Sequence, residues 1–444
     1  MAIQSKAKNA PVSTANERAE KQALPIVGLT VFLDVLGVGI LIPVLPQLIF
    51  RIFEPAGYSF STSLILLGWL TAIFPLMQFF ATPILGQLSD RYGRKPVLGF
   101  SLAGTALGYV LFAIAIVTKN IPLLFAARAF DGITGGNISV ARAVIADVTP
   151  PQHRARNFGM LGAIFGLGFV FGPYIGARLA TPNIDFFGLF STPGWFSTAT
   201  PFWFTAILSA INTVLLLAVL PETHAHIDRK VKLVWNKSLD NIRRAALNER
   251  LRVIFSAEFF FWGGFTFFTT FFQILLIQKL GFKANNVGDF FAYIGICIAI
   301  SQALIVPLTA KRFLSHNIIR VAMFGLSGAL LLQLFPHNTT QLLLVAPFIA
   351  LFNGQFMANA SALVSLTAGP KNQGEVLGIE ASVQALAQSI PAIIGGYVAT
   401  MGVNMPVIVG AATIFVGAVV FNVFYRVPQD VAEAESRHEN PMMG

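Results

Sequence analysis

The sequence predicts an all-α membrane protein of twelve transmembrane helices arranged as two six-helix repeat halves. Three observations carry that prediction. Of 444 residues, 55% are hydrophobic and 11% charged, with mean hydropathy +0.70, which leaves too little polar side chain to cover a water-soluble domain of this length. Apolar runs of about 18–27 residues, the length a helix needs to cross the hydrocarbon core, recur along the chain. A constant offset superposes Gly135 on Gly354, Pro151 on Pro370, Gly159 on Gly378 and Gly176 on Gly395, and a slightly longer one superposes Gln78 on Gln302 and Pro83 on Pro307. Small residues recur in any helix bundle, but collinear matches on one offset favour a repeated unit. That plan places a binding site near the membrane midplane, between the halves.

In chain order, residues 1–23 are polar and rich in Lys, Ala, Asn and Ser, and a disordered cytoplasmic tail is expected. The first apolar run, 24–50, is too long for a signal-peptide core and lacks a small-residue cleavage site, so it is the first span. The first half, 24–220, continues through spans at 62–85, 97–117, 121–146, 158–178 and 201–220. The loop before the last of these carries Phe186, Phe187, Phe190 and Trp195, the composition of an interfacial segment. A cytoplasmic linker, 221–251, follows, in which Val231, Val234, Leu239, Ile242 and Ala246 fall near helical spacing among Arg and Lys, as in an amphipathic interfacial helix. His224 and His226, beside Glu222 and Asp228, are metal-binding residue types, but a solvated loop is the simpler reading. The second half, 252–425, holds spans at 252–277, 287–309, 318–335, 341–366, 376–398 and 405–425, and 426–444 is a polar cytoplasmic tail.

The 30 Lys and Arg residues are distributed unevenly across that segmentation. Only Arg51, Lys119, Arg178, Lys279 and Lys283 lie on the side opposite the termini, while Arg128 and Arg142 fall inside helix four. The positive-inside rule then places both termini in the cytoplasm of an integral, multi-pass protein of the cell (inner) membrane. The formal net charge of +10 therefore reports orientation, and no nucleic-acid partner is expected. The single cysteine, Cys297, excludes an intrachain disulfide. The chain has no Gly-x-x-x-x-Gly-Lys-Ser/Thr loop with which to hydrolyse ATP. An enzyme is not expected, no cofactor is called for, and active transport would draw on a proton gradient.

Charge inside the membrane is expensive unless paired or hydrated, so each buried ionisable residue is a candidate for function. All 6 histidines fall in loops or tails, which leaves carboxylates to carry protons through the bundle. Asp34 lies near the middle of helix one, ahead of Gly37, Gly39, Pro43 and Pro46, which thin and bend the helix; it is the first candidate proton carrier, with a structural ion pair as the bland alternative. Arg128, in helix four, either pairs with Asp131 three residues on or faces Asp34 across the cavity. Glu258 in helix seven and Glu380 in helix eleven are candidates for a cationic substrate or a second proton, or they snorkel or pair with Arg142. Trp262, Phe265, Gln302 and Gln384 complete the candidate substrate-binding set.

Two further stretches are candidates for gating. GQLSDRYGRK, residues 86–95, is expected to be a short cytoplasmic turn in which Gly86 and Gly93 allow close backbone approach and positive φ. Its Asp90, Arg91, Arg94 and Lys95 can pair with one another and with helix ends, and Asp147 is placed to pair with Arg94. GLGFVFGPYIG in helix five sets Gly168, Gly172 and Gly176 at four-residue spacing with Pro173 between, a smooth packing face with a bend.

GQLSDRYGRK, the helix-four run AARAFDGITGG with IADVTPPQHRAR, and GPYIG resemble the drug/proton antiporter branch of the major facilitator superfamily. LDVLGVGILIPVLP in helix one and SLAGTALGY in helix three are most similar to tetracycline/proton antiporters. The resemblance implies that Asp34 matches that group's helix-one acidic residue and Arg128 its helix-four arginine linked to proton transfer. It also implies that Gly172-Pro173 is the antiporter signature and that Asp90, Arg94 and Asp147 form a charge relay. Gly108 stands where tetracycline exporters carry an acidic residue, and Arg142, Glu258 and Glu380 are charges beyond that pattern. The expected function is a proton-coupled antiporter, a monomer in the bilayer, that exports a small amphipathic organic molecule by alternating access. The alternatives are a proton symporter importing a sugar, peptide or organic ion, and a transport-inactive membrane receptor or scaffold.

Overall fold

The computed structural model describes residues 14–149, 154–186, 190–223 and 233–427. Its helices are α1 (Thr14–Leu48), α2 (Phe60–Tyr92), α3 (Arg94–Val117), α4 (Ile121–Thr134), α5 (Asn137–Val148), α6 (Arg154–Leu179), α7 (Thr200–Val219), α8 (Lys237–Leu247), α9 (Arg252–Leu280), α10 (Ala284–Ile300), α11 (Val306–Ala310), α12 (Ser315–Leu332), α13 (Thr339–Thr400) and α14 (Met405–Phe424). Among the described residues the strands are confined to a two-residue hairpin, Asp185–Phe186 against Phe190–Ser191.

Among the described residues, 10 helical segments are long and apolar enough to cross a membrane. The spans expected at 158–178 and 121–146 are α6 and the pair α4 and α5, which brings the set to twelve. The fourth span breaks at Gly135 and Gly136. The break is tolerated because Gln78 of α2 donates to the freed Gly135 carbonyl at 2.8 Å, as buried backbone in a membrane requires.

Three features differ from the sequence expectation. α1 begins at Thr14, inside the segment expected to be disordered; its first residues, TANERAEKQA, are mostly good helix formers. Its far end runs on through a π-turn (Ile49–Phe53) and a 3-10 turn (Glu54–Ala56) before Gly57 stops it at φ +93°. The tenth and eleventh spans, Thr339–Thr367 and Val376–Thr400, belong to one uninterrupted helical backbone, α13. Ser361 lies within hydrogen-bonding reach of Glu380, although a straight helix would separate them by roughly 28 Å, so α13 folds back on itself. His224, His226, Asp228, Val231, Phe187 and the tail from 428 lie outside the described residues.

Each half has its own apolar core. The second half is built around Phe261, Phe268, Phe272, Met323, Phe356 and Phe421. The first half has one cluster towards the linker, around Val31, Leu98, Val144 and Leu216. A second, at the opposite or far end, surrounds Leu48, Phe53, Phe112 and Phe202 and takes in Phe271, Ile274 and Ala399 of the second half.

The halves therefore share a core at the far end. Because lipid is as apolar as leucine, helix association here depends on close approach at small residues. A Cβ on Gly68 would lie 2.6 Å from the Ala392 carbonyl, and one on Gly288 would lie 2.7 Å from that of Pro173. These contacts join α2 to α13 and α6 to α10. At the linker end, α8 bridges the halves: Ser238 donates to the Phe79 carbonyl at 2.6 Å and Asn241 to Ser382 at 3.1 Å.

Candidate functional site

The charged groups form three centres. The first sits where α2 meets α3. α2 runs to Tyr92, and the turn is the single residue Gly93, at φ +102°. This corrects the expectation of a longer turn. Gly86 is helical with open space beside it, so it provides neither positive φ nor close approach. Arg94, 7% exposed, is the hub. Its Nε donates to Asp147 at 3.0 Å, and its Nη1 donates to both Asp90 and Ser89 at 2.6 Å. Arg91 instead lies over the Tyr92 ring, 5.3 Å from its centre. Glu222, at the start of the linker, accepts the backbone N–H groups of Arg94 at 2.8 Å and Lys95 at 3.2 Å. It thereby caps α3 in place of a side chain at Gly93 and matches the helix dipole. Glu222 lies far from Arg94 in sequence, and no local signal reveals it.

The second centre is in the first half. Asp34 of α1 faces the carboxamide of Asn137, a fully buried residue at the start of α5. Asp34 Oδ2 is sealed from solvent and has no hydrogen-bond partner. Nearby, Arg128 Nη1 donates to Asp131 Oδ2 at 3.0 Å, with its guanidinium 4.4 Å from the centre of the Phe74 ring. Of the two arrangements open in the sequence, the pair within α4 is the one formed. Gly108 explains how Asp131 is accommodated, since a Cβ there would lie 3.1 Å from that of Asp131. Tyr109, the last residue of the SLAGTALGY stretch, lies beside Arg128 and Asp131 in this centre; in the sequence it had no role of its own. The glycine face of α6 positions α1 beside it. A Cβ on Gly168 would lie 2.7 Å from the Val35 side chain, one on Gly172 2.7 Å from Gly39 Cα, and one on Gly176 2.6 Å from the Ile40 carbonyl. Pro173 follows on α6, its carbonyl turned towards Gly288 of α10.

The third centre joins the halves. Glu258 of α9 and Glu380 of α13, 1% and 4% exposed, bring their carboxyl groups into hydrogen-bonding contact. Arg142 of α5 faces Glu380 from the first half, and Gln384 donates to Glu380 Oε1 at 3.3 Å. Trp262 and Phe265 follow Glu258 at i+4 and i+7 on the same face of α9. Phe261 anchors that stripe: it stacks on Phe356 at 3.7 Å and on Phe265 at 6.2 Å. Gln302 lies apart, between Gly166 of α6 and Gly354 of α13.

At the far end, Arg178 of α6 donates to Asp289 of α10 at 2.6 Å while lying over the Tyr174 ring. In the sequence Arg178 speaks only to orientation, and Asp289, in another half of the chain, carries no signal that would pair the two. Among the described residues no group of 3 or more His, Cys, Asp or Glu side chains is placed to hold a metal ion.

Two helical halves that share an apolar cluster at the far end, with buried charge where they meet, define a polytopic membrane protein. The sequence profile of the Major Facilitator Superfamily matches residues 27–350, and the chain belongs to that family. It is 31% identical over 330 residues to the Tetracycline resistance protein, class H, of Pasteurella multocida, covering 71% of this chain and 74% of that protein. Its fold is similar to that of the human organic anion transporter MFSD10 (TETRAN), with TM-score 0.69 and 22% identity, covering 90% of this chain and 99% of that one. It is equally similar to a D-xylose-proton symporter, with TM-score 0.69 and 15% identity, covering 92% and 98%. The chain is an integral membrane transporter of small molecules and not an enzyme.

Proposed function

We propose that this transporter is a proton-coupled antiporter that exports a small amphipathic organic molecule, with the linker end in the cytoplasm. The observation that carries the reading is Asp34: a carboxyl group inside the first span, one oxygen sealed and unmatched, facing Asn137 and close to an already paired Arg128 and Asp131. An ionised carboxylate there lacks the pairing that membrane burial demands, so loading and unloading of a proton is the chemistry open to it. The similarity to tetracycline resistance proteins supports export. A proton arriving from outside neutralises Asp34 and favours the return of the empty carrier, and its release inside readies the site for substrate. Moving one charge across 100 mV supplies about 2.3 kcal/mol, roughly fiftyfold in concentration ratio, before any pH gradient is added.

The Asp90–Arg94–Asp147 network would stabilise one of the two access states from the cytoplasmic side, and the glycine face of α6 would let α1 tilt. The test uses proteoliposomes loaded with a pH-sensitive dye and challenged with tetracyclines, lipophilic cations, sugars and organic anions. Substrate-evoked proton movement opposite to substrate flux, lost in Asp34→Asn, is the expected result. Proton movement in the same direction as substrate would make the chain a symporter, and unchanged movement in Asp34→Asn would remove Asp34 from the mechanism.

A further inference from the structure

The linker helix α8 has one face tethered and one face bare. Ser238 and Asn241 point inward, bonded to the Phe79 carbonyl of α2 and to Ser382 of α13, and Ala245 is buried on the same side. Leu239, Arg243 and Leu247 recur every four residues and so form one ridge along the other side. Leu239 and Leu247 are 59% and 66% exposed, and Trp235, four residues before Leu239, is 70% exposed. The tethers fix the depth of this ridge. Ser382 lies inside the span Val376–Thr400, and Phe79 lies inside the second span expected at 62–85. A helix bonded to both sits level with the span ends, where lipid headgroups lie, and an apolar row at that level with a tryptophan at its start faces lipid rather than a partner in water.

Beside the ridge is a groove of about 460 Å³, with Val376 and Ile379 as its floor and Arg243, Arg244 and Leu247 along one wall. That volume lies within the range of small-molecule sites, about 300–1,000 Å³. Arg244 is already engaged, its Nε donating to Asp240 at 2.8 Å. Arg243 is exposed and belongs to no ion pair among the described residues. Lys237, Arg243, Arg244, Arg250 and Arg252 outnumber Asp240 and Glu249 along this stretch, so an anion is favoured there.

We propose that the groove between α8 and the start of the eleventh span binds the headgroup of an anionic phospholipid. The Arg243 guanidinium takes the phosphate, to which its planar fork is suited, and Leu239 and Leu247 lie against the glycerol and the first acyl carbons. A zwitterionic lipid would bring a cation to a place that already holds surplus positive charge, which selects the anionic headgroup. Because α8 is hydrogen-bonded to both halves, an occupied groove favours the arrangement in which the linker ends of the halves stay together.

Binding needs neither Asp34 nor a given direction of transport, so failure of the antiport reading leaves it standing. Purified full-length protein in neutral detergent is equilibrated with equimolar dioleoylphosphatidylglycerol and dioleoylphosphatidylcholine, and the lipids that stay bound are counted by native mass spectrometry. The first lipid retained should be phosphatidylglycerol, preferred by about fivefold. Arg243→Gln, at an exposed position, should remove most of that preference, and Arg243→Lys should keep part of it. Lys311→Gln, which removes an exposed charge at the same end of the molecule, should leave it unchanged. Phosphatidylglycerol should also raise the unfolding midpoint of the wild type but not of Arg243→Gln. Equal retention of the two lipids overturns the proposal, as does a preference that survives Arg243→Gln or falls equally in Lys311→Gln. Displacement of the lipid by an equal concentration of inorganic phosphate would make this a free-anion site and overturn it as well. So would a preference that appears only after removal of residues 428–444, since the groove would then belong to that segment, with its Asp430, Glu433, Glu435 and Glu439.

Discussion

One guanidinium, that of Arg94, holds Asp90, Ser89 and Asp147 together at 2.6, 2.6 and 3.0 Å. Truncating it leaves a half-buried Asp147 and a buried Ser89 hydroxyl without their shared donor. Arg94→Ala should therefore destabilise the protein by about 2–3 kcal/mol, read as a lower unfolding midpoint in detergent. Arg94→Lys should recover only part of that loss, because an ammonium group lacks the planar fork. Glu222→Gln keeps the shape of the α3 cap but removes its charge, so it should cost about 1 kcal/mol and no more. A loss as large as that of Arg94→Ala would mean Glu222 is part of the ion network rather than a cap. These residue-scale consequences follow from partners that are distant in sequence. The GQLSDRYGRK motif announces that Arg94 and Asp90 matter, whereas Glu222 belongs to no motif.

At the scale of helices, the crossing of α1 and α6 depends on three glycines whose missing side chains are occupied by the facing backbone or by Val35. Gly172→Ala would place a methyl group 2.7 Å from Gly39 Cα. The backbone must then separate, at a cost of about 1–3 kcal/mol, visible as reduced folded yield and a lower unfolding midpoint. Gly86→Ala is the contrasting case. Gly86 is helical, with nothing within 4 Å of the place a methyl group would take, so alanine should stabilise α2 by roughly 0.5–1 kcal/mol. The two substitutions are chemically identical, and both positions were legible in the sequence as motif glycines. Only packing distinguishes them: one glycine makes room for another helix, and the other makes room for nothing among the described residues.

At the scale of the whole molecule, the two halves are joined at the far end by a shared core and by the Arg178–Asp289 ion pair. If the carrier works by rocking its halves, this pair must break when the far end opens. Asp289 is 44% exposed at its side chain, so the pair is screened and weak. Arg178→Gln should shift the balance towards the open far end by roughly two- to fivefold. In a Cys297→Ser background, a cysteine introduced by Ala177→Cys, at a position that is fully buried against Gly288, should then be labelled faster by a membrane-impermeant maleimide. Unchanged labelling would mean that the ion pair does not contribute to closure.

The division between what could be read along the chain and what needed three dimensions follows from range. Hydropathy, helical period and turn composition are local, so the membrane class, the positions of the spans and the repeated halves were legible from residues alone. So were the buried charges, because an ionisable residue inside an apolar run is conspicuous wherever its partner lies. What was not legible was pairing. The sequence offered Arg128 two partners, Asp131 on its own helix and Asp34 on helix one, and only packing against Phe74 and Gly108 decided for Asp131. Glu258 and Glu380 stood as separate candidates until α13 folded back and brought their carboxyl groups together, with Arg142 opposite. A sequence states the cost of each buried charge, but which group offsets it depends on where the helices cross, and that is set by contacts between residues far apart in the chain.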